Sequence, residues 1–175
     1  KVQELVYLCG VLMTASFDHT EPGTGDAFID ELIYAFENYL DYDPNMHILY
    51  HDPESQGIWE SWVEGSNLPL LILPTNEFVE ALKGELDSGR PVYFTANDIN
   101  DTGTPASHAM VIDGYDLDDR FHINFGWGGS CNEFYNITEI NTALHCSDNY
   151  EFNASQWALI GISPNYPSWL EDTCM

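Results

Sequence analysis

The segment 107–129, SHAMVIDGYDLDDRFHINFGWGG, is the feature that most constrains how this chain can fold. Two strand-like runs, 108–115 and 120–127, flank a polar stretch of turn-forming residues, a pattern typical of an antiparallel β-hairpin. Opposed residues of such a hairpin have a constant index sum. A turn centred on Asp116 therefore predicts that His108 lies directly opposite Asn124, with Cβ atoms about 4.5–5.5 Å apart.

An opposed histidine and asparagine have a specific chemical use. The Asn124 Oδ1 would accept a hydrogen bond from His108 Nδ1, which fixes the tautomer and leaves Nε2 free to accept a proton. A cysteine aimed at Nε2 would complete a Cys-His-Asn system, and Trp127 in GWGG would shield the pair from water. Spacing alone leaves open a purely structural His–Asn pair. His122, expected opposite Met110, is the second candidate for the base.

Composition and charge exclude several classes of function. The chain has 175 residues, of which 44% are apolar and 14% aromatic, enough for one folded core. Four Lys and Arg residues face 29 Asp and Glu residues, giving a net charge of −25. Nucleic acid and anionic membranes are therefore excluded as partners, because contacts to phosphate need cations. The sequence has no run of 18 apolar residues, so we predict no transmembrane helix in it.

The metal-binding residue types show no metal-site pattern, so we expect neither a metal nor a cofactor. The four cysteines lack C-x-x-C spacing. Cys131 and Cys146 could form a disulfide or remain free thiols, and the sequence leaves both open. His47 and His51 fall four residues apart in an expected strand, too far apart to share an ion, and are predicted to be solvated.

Helical and strand patterns predict an α+β fold in which helices come first and an antiparallel sheet follows. Helices are expected over 2–13, 27–39 and 77–87, the last capped by Thr75. Strands are expected at MHILYHD, VYFTA, EFYNI and QWALIGIS in addition to the hairpin. The stretch QGIWESWVEGSNLPLLILP fits neither pattern.

The block HAMVIDGYD followed by FHINFGWGG resembles the histidine region of the streptopain family of papain-like cysteine peptidases. The stretches LCGVLMTASFD, PGTG, LKGELDSGRPVYFTA, FYNITEIN and QWALIGISP are also similar to that family. The resemblance covers most of 2–164, with 52–74 as an apparent insertion. It implies a partial papain-like catalytic domain over 1–164, without its N-terminal part, and a tail over 165–175.

The resemblance also implies an activity and roles for individual residues. Family members cleave peptide bonds through a cysteine acyl-enzyme and are typically secreted as zymogens by bacteria, which implies an extracellular location and a peptide or protein substrate. His108 matches the catalytic histidine and Asn124 its orienting partner. Trp127 matches the second tryptophan of the family motif, and Phe125 replaces the first. The expected lining of the cleft is Gly23, Gly25 and Ser107.

The position of the nucleophile separates the possible functions. The resemblance places the catalytic cysteine upstream of Lys1, on a segment that would act as the partner of this chain. Cys9 lies mid-helix in an apolar stripe, where burial raises a thiol pKa rather than lowering it. We therefore expect a cysteine endopeptidase whose His and Asn are in this chain, which alone would be inactive. The alternatives are a catalytically inactive binding or inhibitory module and another Cys-His hydrolase or acyltransferase on the same fold.

Overall fold

The computed structural model describes residues 29–54, 59–62, 69–99 and 107–165. The predicted helix over 2–13 and the glycine loop 22–25 lie outside these residues. The chain divides into two compact units, Lys1–Asn45 with Ser163–Met175, and Met46–Ile162.

The described part of the first unit is a helix followed by a short ladder. Helix α1, Ile29–Tyr39, ends where the amphipathic pattern predicts, and it buries Leu32, Ile33 and Ala35. After the helix, Asp43 N–H donates to Ser163 O at 2.8 Å. Tyr42 forms an antiparallel bridge with Pro164, so the two chain segments of this unit are joined through backbone hydrogen bonds.

The second unit contains an eight-stranded mixed sheet and one long helix, α2 at Thr75–Asp87. The strands are β1 His47–His51, β2 Trp59–Trp62, β3 Pro69–Leu73, β4 Val92–Asn97, β5 Ser107–Tyr115, β6 Phe121–Asn124, β7 Glu133–Tyr135 and β8 Ala154–Ile160. Their order across the sheet is β2, β3, β1, β8, β4, β5, β6 and β7. Among the described strands, β1 and β3 pair in parallel and the other neighbours are antiparallel.

The region 52–74, interpreted from the sequence as an insertion, extends the sheet at one edge. It supplies β2 and β3, and β3 joins the rest of the sheet through its parallel pairing with β1. The β3 sequence PLLIL is a continuous apolar run. Such a run carries no period-2 alternation, which is why its strand character could not be predicted.

Helix α2 packs on the sheet through an apolar stripe. Phe78 and Leu82 on the helix and Phe94 and Ile112 on the sheet are 0% exposed. Burying each such side chain contributes about 1.5–3 kcal/mol, so this layer accounts for much of the core's stability. The predicted cap is wrong, because the helix starts at Thr75 with Pro74 as N-cap and has no side-chain cap.

The hairpin exists, but its predicted register is wrong. Val111, not His108, pairs with Asn124, and Gly114, not Met110, pairs with His122. The turn is closed by Asp116 N–H, which donates to Arg120 O at 2.9 Å. The turn is therefore centred on Asp118, two residues later than the predicted centre at Asp116. A bulge between Ile112 and Gly114 then moves the pairing back by one residue, so that Asn124 lies opposite Val111 rather than Ile112.

Candidate active site

His108 lies near the start of β5, in a pocket of aromatic rings. Its ring centroid lies 4.7 Å from that of Trp127, 5.7 Å from that of Phe152 and 6.2 Å from that of Phe125. Burial among these rings lowers the pKa of His108 from its ordinary value of 6.5, and a hydrogen bond to the Phe125 carbonyl partly opposes that shift. The site therefore favours a neutral imidazole when no anion is nearby.

The hydrogen bond of His108 fixes which ring nitrogen can act as a base. Nε2 donates to the carbonyl oxygen of Phe125 at 2.9 Å, since a carbonyl can only accept. In the neutral ring Nδ1 then carries the lone pair. The predicted assignment, with Nδ1 bonded to Asn124 and Nε2 free, is thus reversed in this structure.

Asn124 shapes the loop after β6. Its Oδ1 accepts the backbone N–H of Gly126 at 2.9 Å. Gly126 and Gly128 adopt positive φ values of 75° and 65°, which favour glycine and turn the chain tightly around Trp127. Asn124 thus acts on the loop that carries Trp127, while the adjacent Phe125 carbonyl holds the histidine ring.

The structure places the other predicted site residues as follows. Phe125 is 1% exposed and belongs to the core, whereas Trp127 is half-buried against His108. Ser107 is exposed at the start of β5, and its Oγ lies 3.1 Å from Thr95 Oγ1. Gly23 and Gly25 lie outside the described residues.

His122, the second candidate base, is paired with a carboxylate. Its Nδ1 lies 2.5 Å from Asp113 Oδ1. Gly114, its partner in the ladder, is six residues along β5 from His108, a separation of about 20 Å at the usual rise of a strand. His122 therefore cannot contact the same reacting atoms as the His108 ring.

His51 is a buried polar centre that the sequence analysis missed, since it was predicted to be solvated. It is 7% exposed, with Nδ1 2.6 Å from Gln156 Oε1 and Nε2 3.0 Å from Thr75 Oγ1. Gln156 Nε2 donates to the carbonyls of Ile137 and Phe152, which fixes its Oε1 as the acceptor from His51. Leu49, two residues before His51, is also buried, and this shared strand face was the signal that could have revealed it.

Two of the cysteines form a disulfide, which settles the alternative left open by the sequence. Cys131 and Cys146 are bonded, with Cα atoms 5.1 Å apart and 15 residues between them in sequence. In this state neither sulfur can attack a substrate. Cys9 and Cys174 lie outside the described residues.

No described helix is both long and apolar enough to cross a lipid bilayer.

The sequence is similar to bacterial cysteine peptidases. Streptopain of Streptococcus pyogenes is 28% identical over 145 residues, which cover 82% of this chain and 30% of streptopain. The thiol protease/hemagglutinin PrtT of Porphyromonas gingivalis is 35% identical over 95 residues, covering 53% of this chain and 10% of PrtT. The chain thus spans less than a third of the length of the curated relatives it matches.

The fold has the same architecture as a solved cysteine protease. Active interpain A of Prevotella intermedia superposes with a TM-score of 0.64 at 19% identity, covering 93% of this chain and 56% of interpain A. A prointerpain A fragment superposes with a TM-score of 0.57. The α+β, papain-like fold class is confirmed. The family model of the peptidase C10 family matches residues 1–135, and the chain belongs to that family.

Proposed function

We propose that this chain is the sheet-bearing part of a cysteine-type endopeptidase of the streptopain type, with His108 as its base. The observation that carries the proposal is the state of the His108 ring. Nε2 is held by the Phe125 carbonyl at 2.9 Å, aromatic rings flank the imidazole, and Nδ1 is the nitrogen left to accept a proton. A fixed, half-desolvated imidazole with one basic nitrogen is what a thiol nucleophile needs beside it.

In the proposed reaction, Nδ1 takes the thiol proton and forms a thiolate–imidazolium pair. The thiolate attacks the scissile carbonyl carbon, and His108 returns that proton to the leaving amine as the C–N bond breaks. Water then attacks the thioester carbonyl, with Nδ1 accepting its proton, and the released thiolate is reprotonated or paired again. The Phe125 carbonyl stabilises the imidazolium by keeping its bond to Nε2 throughout.

We propose that the attacking cysteine belongs to a segment N-terminal to Lys1 in a longer polypeptide. The disulfide occupies Cys131 and Cys146. The apolar stripe that the sequence predicts around Cys9 would disfavour a thiolate there. The limited share of streptopain that this chain covers supports a further segment.

Asn124 is proposed as a positioning residue rather than a direct partner of His108. Its Oδ1 holds Gly126, and thereby the loop on which Trp127 reaches the histidine. Ser107, Gly23 and Gly25 remain the proposed lining of the cleft, as expected from the sequence. Ser107 is adjacent in sequence to His108. The proposed unit for this activity is 1–164, with 165–175 as a tail.

The proposed substrate is an extracellular peptide or protein, and the charge of the chain favours cationic ones. The three described cations, Lys83, Arg90 and Arg120, are each paired with carboxylates. The net charge of −25 is what remains after all four cations are counted against the 29 carboxylates. Such a field attracts basic peptides at low ionic strength, and salt screens it.

A binding or inhibitory module without activity is the second candidate. The engagement of Asn124 with Gly126, rather than with His108, favours it. The discriminating experiment is cleavage of a fluorogenic peptide by the full-length polypeptide, with His108→Gln as the test and His122→Gln as the matched control. Activity abolished by a thiol alkylating agent and by His108→Gln, but kept in His122→Gln, supports the peptidase. Thiol-independent or absent cleavage by the folded protein would reject it.

A further inference from the structure

Trp127 and Phe152 form two aromatic walls against the His108 ring. They belong to chain segments on opposite sides of the disulfide. Trp127, 4.7 Å from the histidine ring, precedes Cys131 by four residues. Phe152, 5.7 Å from the ring, follows Cys146 by six residues. The bond between Cys131 and Cys146 therefore connects both walls at a short distance along the chain.

The first half of this connection is buried and hydrogen-bonded. Cys131 is 5% exposed and has a φ of 62°, in the left-handed region. Its carbonyl accepts the hydroxyl of Tyr135 at 2.7 Å, and the N–H of Ser130 donates to the Trp127 carbonyl at 3.2 Å. Short hydrogen-bonded steps thus link the sulfur of Cys131 to the backbone of Trp127.

The second half passes through Thr142, which is fully buried at the start of a 3₁₀ turn, Thr142–Leu144. The N–H of Cys146 donates to the Thr142 carbonyl at 3.0 Å. The Thr142 hydroxyl accepts the N–H of Tyr150 at 2.9 Å. The Tyr150 ring then lies 5.5 Å from Trp127 and 5.5 Å from Phe152, so it contacts both walls.

We propose that the Cys131–Cys146 disulfide positions the aromatic walls of His108, so that breaking it lowers activity while leaving the fold in place. The inference rests on the proposed function as far as activity is concerned. Its geometric part does not, because it concerns only the arrangement of His108, Trp127 and Phe152.

Reductant should have two opposite effects on peptidase activity. A dithiol breaks the bond by two successive thiol–disulfide exchanges: each cysteine sulfur gains one electron and one proton, and the dithiol becomes a cyclic disulfide. The same reductant keeps a catalytic cysteine in its active thiol form. Activity should therefore rise with mild reductant and fall again once the structural disulfide opens.

The first test reads the histidine rings directly, in protein carrying ¹³C-labelled histidine, by NMR before and after reduction with a dithiol. His108 packs against both Trp127 and Phe152, so movement of either ring changes the ring-current shift of the histidine ring protons. His145, adjacent to Cys146, should shift as the sign that the bond has opened. His47, on β1, should stay unchanged as the control. A shifted His108 supports positioning, and a shifted His145 with an unmoved His108 overturns it.

The second test measures kcat and KM of the full-length polypeptide carrying Cys131→Ala with Cys146→Ala, under mild reductant. We expect kcat to fall about tenfold with little change in KM, because misplacement of a catalytic group acts on the reacting geometry. Unchanged kcat would overturn the proposal. If the double variant does not fold, wild-type protein with its disulfide reduced gives the same comparison. If His108 shifts on reduction but no peptidase activity exists at all, positioning stands and the proposed function fails.

Discussion

His108 and His51 lie on the same sheet, yet their surroundings differ in how the two ring nitrogens are bonded. At His51 both ring nitrogens are bonded to side chains, Gln156 and Thr75, and the ring stacks on Phe78 at 5.0 Å. At His108 one nitrogen is bonded to a backbone carbonyl, and the other is left as a base in a half-buried site. A histidine ring that is hydrogen-bonded at both nitrogens is held in place, whereas a ring bonded at one nitrogen keeps the other able to accept a proton.

Replacing each histidine should give the largest difference between the two sites. In the full-length polypeptide, His108→Gln should lower kcat/KM by at least about 10³-fold, the scale of lost acid–base catalysis. His51→Gln should lower kcat/KM by no more than a few-fold once folded protein is compared. Steady-state kinetics with active-site titration checks both, and equal losses would erase the distinction.

Opening the His51 network should destabilise the fold more than any change at the His108 walls. Gln156→Leu removes the partner of His51 and of the carbonyls of Ile137 and Phe152. Buried groups left without partners cost about 1–3 kcal/mol each, so we expect a loss of about 2–4 kcal/mol in the free energy of unfolding. Urea denaturation measures it.

A double variant provides the control for that loss. If Gln156→Leu acts through His51, then adding His51→Leu should cost less than the sum of the two single changes. Strict additivity would show that the two side chains do not stabilise each other.

The ring partner of each histidine gives a smaller, complementary effect. Phe78→Leu, under His51, should lower the free energy of unfolding by about 1–1.5 kcal/mol through the volume lost from a fully buried site. Trp127→Leu, beside the half-buried His108, should lower the free energy of unfolding less than Phe78→Leu does, but it should lower kcat more. Unfolding curves and kcat measured on both variants test this, and a reversed pattern would contradict the assignment of roles.

The pH dependence of His108 gives the smallest expected effect. Burial lowers its pKa below 6.5, so the unfolded chain takes up this proton first as the pH falls. The stability that the site contributes is therefore complete above pH 6.5 and is lost as the pH falls through the lowered pKa. An NMR titration should give a His108 pKa below 6.5, and unfolding of His108→Gln should depend less on pH over that window. A pKa above 6.5 without a nearby thiolate would contradict the burial argument.

Helices α1 and α2, the strands outside 52–74 and the existence of the hairpin could be read from the sequence, because amphipathic periodicity and strand alternation are local signals. The register of the hairpin could not. Several polar residues between Gly114 and Arg120 can form a turn, and the bulge at Asp113 leaves no mark in composition. The role of His51 depends on Gln156, 105 residues away, a contact that no local pattern encodes.

We propose that His108 serves a cysteine that lies outside these 175 residues. The most direct test is rapid alkylation of the full-length, native polypeptide with iodoacetamide, followed by peptide mass spectrometry, in wild type and in His108→Gln. We expect one fast-reacting cysteine N-terminal to Lys1, whose alkylation slows when His108 is replaced. Fast, His108-dependent alkylation of Cys9, or no fast-reacting cysteine at all, would contradict it.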